Sequence, residues 1–174
     1  RHYVVQDVWD TDVPRFGIDI WMTTTAITGG FKVCQAFLGA KIHDAKDPST
    51  DLSQMLVQVA GSVFDLMGAQ EQAWMGVHET QPVPLFGMEH AVGLEEVQVD
   101  TPRMIQNFRL GIEGLKDVWS CALAPEVIHQ LERLGLQDQD CFRFHPGIWI
   151  RVLHDFAIAH HLRAIDRSHL LQSL

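Results

Sequence analysis

The stretch "KIHDAKDP" (Lys41 to Pro48) sets one histidine among acids and cations: Lys41, His43, Asp44, Lys46 and Asp47. A neutral imidazole beside carboxylates suits a divalent metal ion, and the end of a strand is a rigid place to present one. Lysines on either side would neutralise charge on a metal-bound diphosphate. The plainer reading is a surface histidine in a polar loop between solvated lysines. Spacing alone leaves both readings open.

Upstream, "FGIDIW" (Phe16 to Trp21) places Asp19 between two isoleucines. An acid there either serves the helix dipole at a first turn or is a carboxylate held toward a ligand. The two roles are compatible. His154, His160 and His161 are close in sequence, but no HExxH spacing completes a zinc site, so they read as structural. Trp119 and Trp149 read as core, while Trp9, Trp21 and Trp74 are candidates for lining a cleft. There is no phosphate-binding glycine loop, no GxSxG and no Cys–His pair at a known spacing.

These residues need elements to hold them. Residues 17–28 read as a helix, stopped by Gly29-Gly30. Its three consecutive threonines are poor helix formers, so it needs tertiary support. Residues 31–42 suit a strand ending at His43. Residues 52–68 form the clearest helix, with Leu52, Met55, Leu56, Val59, Ala60, Val63, Phe64 and Met67 on one face. A proline- and glycine-bearing excursion over 79–100 has room for one short strand. Thr101 is expected to cap a helix striped by Met104, Phe108, Ile112, Leu115 and Trp119. Helices over 125–134, from Pro146 onward and over 166–173 complete the chain. The expected fold is mainly α with a small β element. Residues 1–78 hold the helix–strand–loop–helix part and 79–174 a helical region of the same compact unit.

The 174 residues suffice for one domain with a real core. Because the first residue is Arg1, the chain reads as a piece of a longer protein. No apolar run approaches the ~18–20 residues that span a bilayer, and no signal segment is visible. The net charge of −9, with basic residues scattered, gives no footprint for nucleic acid. Cys34, Cys121 and Cys141 lack CxxC spacing and read as reduced thiols of a cytoplasmic protein.

The stretch "FGIDIWMTTTAITGGFKVCQAFLGAKIHDAKDP" (Phe16 to Pro48) resembles the second half of the catalytic domain of GT-A-fold glycosyltransferases. The family 2-like enzymes, similar to mannosylglycerate and glucosylglycerate synthases, share its order: GID helix start, glycines, strand, KxH ending. The resemblance covers roughly Arg15 to Met67. It implies that Asp19 is the catalytic carboxylate on the acceptor side, contacting the acceptor or assisting its hydroxyl, in a cleft with Gly17 and Trp21. It implies that His43 ligates a divalent metal, Mg²⁺ or Mn²⁺. Lys41, Asp44, Lys46 and Asp47 would belong to the loop over the diphosphate of a nucleotide-sugar donor.

The family's DxD acid has no counterpart here, because "DTD" (Asp10 to Asp12) stands on the wrong side of the GID helix. The chain is therefore expected to be the C-terminal portion of such an enzyme and not to transfer sugar alone. A second expectation is a non-catalytic helical module for oligomerisation or partner binding. A metal hydrolase on His43, Asp44 and Asp47 is weaker, lacking further histidine ligands at suitable spacing.

Overall fold

A computed structural model describes residues 1–39, 52–89 and 99–174. The chain is mainly helical. A π-helical turn, Val13–Gly17, leads into α1 (Ile18–Thr28); β1 (Gln35–Ala36) follows, then α2 (Ser53–Ala69) and α3 (Glu71–Trp74). Next come β2 (Leu85–Phe86), α4 (Thr101–Gly114), α5 (Lys116–Ala122) and α6 (Pro125–Gly135). A short 3-10 turn, α7 (Pro146–His161) and α8 (Arg167–Gln172) end the chain.

The helix ends follow local chemistry. At the end of α1, Gly30 takes a positive φ of 71°. That lets the Phe31 amide reach back to the Ala26 carbonyl at 3.0 Å, the glycine stop expected for this helix. Helix α4 is capped one residue earlier than expected: the Asp100 carboxylate, not Thr101, accepts from the Arg103 amide at 3.0 Å. A carboxylate is among the best acceptors for this role. Asp166 caps α8 in the same way, accepting from Ser168 and His169.

Among the described residues the sheet is smaller than the sequence suggests. A strand is expected over 31–42, yet among the described residues the ladder is two residues long, with Gln35 opposite Leu85 and Ala36 opposite Phe86 in parallel. The Gln35 amide donates to Pro84 and the Phe37 amide to Phe86, both at 2.9 Å. Gly39 then adopts a positive φ of 86°, which leaves the extended path.

The core joins both parts of the sequence. Ala60 and Phe64 of α2 pack with Trp119, Leu123, Val127 and Leu131, and with Phe156 of α7 and Leu170 and Leu171 of α8. The stripe read for α2 needs one correction: Leu56 is exposed, while Gln58, Gly61 and Ser62 are buried. Helix α2 is covered on two sides, by α7 and α8 and by the Val13–Gly17 turn with α1, so its polar flank is enclosed as well. In α4, Ile105 rather than Met104 enters the interior. No helix among the described residues is long and apolar enough to cross a membrane.

Candidate functional site

The start of α1 is held by close backbone contact. A Cβ on Gly17 would run into the Ser62 hydroxyl and lie 3.0 Å from the Asp12 carbonyl. Only glycine lets the turn before α1 lie this close to α2. The Phe16 amide also donates to the Gln58 side-chain oxygen at 3.4 Å, which satisfies a polar group buried on α2.

Trp21 supports the same helix from within. It is 5% exposed, with its ring 5.3 Å from Tyr3 and 6.1 Å from Trp9. The Tyr3 hydroxyl donates to the Met22 carbonyl at 3.0 Å, so the N-terminal residues fold over α1. Trp21 is therefore a packed support, and the more exposed Trp9 and Trp74 present the open indole surface.

Asp19 lies in the first turn of α1, exposed, and its side chain makes no hydrogen bond or ion pair among the described residues. Its helix is anchored through Gly17 and Trp21, but its carboxylate is free. That arrangement suits the dipole and equally leaves a carboxylate ready to accept a ligand hydrogen bond. His43, Lys41, Asp44, Lys46 and Asp47 lie outside the described residues.

A second constellation had no local signal in the sequence. Arg167, first residue of α8, donates through Nη2 to Asp12 Oδ2 at 2.8 Å and to Asp65 Oδ2 at 3.2 Å. Burial pulls the Arg167 guanidinium down, but the hydrogen bond with Asp12 and the charges of Asp65 and Asp12 outweigh it, so its pKa is raised. Gly61 makes room for this group, since a Cβ there would meet Arg167 Nη2 at 2.5 Å.

Behind Asp65 lies His160, whose side chain is 11% exposed. Its Nε2 is 3.4 Å from Asp65 Oδ1 but makes no hydrogen bond. Desolvation dominates there and lowers the His160 pKa; Asp65 opposes this, while Arg167 and His161 add to it.

No protein-family model, curated protein or solved structure matches the chain. Among the described residues, no group of three or more His, Cys, Asp or Glu is placed to hold a metal ion. The three cysteines are exposed and free.

Proposed function

We propose that this chain is part of a metal-dependent glycosyltransferase that moves a sugar from a nucleotide-sugar donor to a small or saccharide acceptor. The observation that carries the reading is Asp19: a free carboxylate on a helix start locked by Gly17 against Ser62 and by buried Trp21. It supports the reading because this is the acid that the resemblance over Phe16 to Pro48 assigns to the acceptor. A carboxylate there orients an acceptor hydroxyl and accepts its proton as the new bond forms.

A bound divalent ion would offset the charge of the departing nucleoside diphosphate. His43 is the residue the resemblance assigns to hold it, and Lys41, Asp44, Lys46 and Asp47 are the residues it assigns to the loop over the diphosphate. Because this chain is expected to lack the donor-nucleotide half, the test is calorimetric titration of Mn²⁺, then of nucleotide sugars, into the full-length protein and its His43→Ala and Asp19→Asn variants. The reading expects His43→Ala to lose metal affinity and Asp19→Asn to keep it. Unchanged Mn²⁺ affinity in His43→Ala sinks the metal assignment.

A helical oligomerisation module is the second reading. It is favoured by a shallow apolar cavity of about 170 Å³ between α2, α3 and α7, with Trp74, Ile158 and Leu162 among its walls. All three side chains are well exposed. Sedimentation equilibrium separates the readings: a stable oligomer lost on Leu162→Glu favours the module, and a monomer removes it.

A further inference from the structure

A cavity of about 330 Å³ opens where the N-terminal segment meets α2 and α8. Its wall is Asp10, Thr11, Asp12, Arg15, Asp65 and Arg167, all polar. The rear of this wall is fixed. Arg167 is held by Asp12 and Asp65. The Thr11 hydroxyl donates to the Val8 carbonyl at 2.6 Å and accepts from the Val13 amide at 3.2 Å. The second oxygen of Asp65 faces the buried His160 ring. The front of the wall is open to solvent, since the Asp10 and Arg15 side chains are exposed and make no hydrogen bond or ion pair among the described residues.

The alternation of charge decides the ligand class. A phosphate-like anion would gain Arg15 but face three carboxylates. A polyamine would gain the carboxylates but face two guanidinium groups. A hydroxyl group both donates and accepts, so a neutral polyol satisfies both kinds of wall at once. Hydrogen bonds to ionised partners are also the stronger ones.

We propose that this cavity binds a neutral polyhydroxylated ligand, a sugar or polyol, with one hydroxyl donating to Asp10 and a neighbour accepting from Arg15. The proposal stands independently of the transferase reading, since such binding needs neither metal nor nucleotide.

The experiment is an NMR titration of the ¹⁵N-labelled protein, following the Thr11 amide and the Arg15 Nε–H. Glucose, mannose and myo-inositol are the probes, with inorganic phosphate and putrescine as charged controls. A sugar or inositol should shift both signals in a saturable way. Asp10→Asn and Arg15→Gln should each weaken binding about tenfold, the loss expected for one hydrogen bond to a charged group. Both side chains are exposed, so the variants should melt like the parent protein. The proposal is overturned if no polyol shifts the signals. It is also overturned if phosphate or putrescine shifts them at lower concentration, or if both variants bind as well as the parent. Loss of metal or nucleotide binding elsewhere would leave it standing.

Discussion

Arg167 Nη2 lies 2.8 Å from Asp12 Oδ2, joining residues 155 positions apart. This contact ties the last helix to the segment that leads into α1, and Asp65 of α2 shares the same nitrogen. Helix α8 is itself sunk into the core through Leu170 and Leu171. The two ends of the described chain are thus fastened to one turn of α2.

Breaking that tie should cost little but measurably. The Arg167 and Asp12 side chains are 44% and 21% exposed, so solvent screens the pair, and Arg167→Met should lose about 1 kcal/mol. Asp12→Asn should lose a similar amount, and the double variant little more than either single one. Urea denaturation in a double-mutant cycle reads the coupling; fully additive losses would show that the contact contributes nothing of its own.

The Gly17–Ser62 approach gives a sharper test. Gly17→Ala inserts a methyl where the Ser62 hydroxyl and the Asp12 carbonyl already stand, and overpacking of this kind costs about 1–3 kcal/mol. Ser62→Ala alone should be neutral or slightly stabilising, because its buried hydroxyl has no partner. Placed together, Ser62→Ala should recover part of the Gly17→Ala loss but not all, since the Asp12 carbonyl remains. Thermal melts of the three variants check this order.

Acid should weaken the fold through His160. Its pKa is lowered in the folded protein, chiefly by desolvation, so the unfolded chain binds the proton more readily. Stability from this group is full above the unfolded value of about 6.5. It falls as pH drops through that value toward the lower folded pKa, and is flat below. Urea midpoints measured downward from neutral pH should fall more steeply for the parent than for His160→Gln. Equal slopes would assign the acid sensitivity to other groups.

Asp19 should separate stability from function. Its exposed first-turn carboxylate has no described partner, so Asp19→Asn should change stability by less than about 1 kcal/mol, the dipole contribution. In the proposed enzyme the same change should abolish transfer while nucleotide-sugar affinity persists. A variant that transfers sugar at the parent rate removes Asp19 from the chemistry.

Leu170 reports how far α8 belongs to the core. It is fully buried, and Leu170→Ala should cost about 2–5 kcal/mol. A smaller loss in denaturant unfolding would mean that α8 detaches before the rest.

Much of the helical framework was legible in the sequence, because its signals are local. Gly29-Gly30, Pro125 and Pro146 punctuate helices through backbone geometry alone. The apolar spacing of Ala60, Phe64, Val152 and Phe156 names a buried face wherever the chain goes. Asp19 could likewise be placed in a first turn, since that position depends only on its neighbours.

Tertiary structure decided the rest. Periodicity marks an apolar face but does not tell how many layers cover a helix, so Leu56 stays in solvent while Gln58 and Ser62 are enclosed. The parallel pairing of β1 with β2, across 50 positions, depends on where the two segments meet in space. The Arg167–Asp12–Asp65 tie, the room left by Gly61 and the desolvated His160 behind it exist only when the N-terminal segment, α2, α7 and α8 converge. A charged side chain carries no record of a distant partner in its neighbours, because Coulomb attraction and burial act through space.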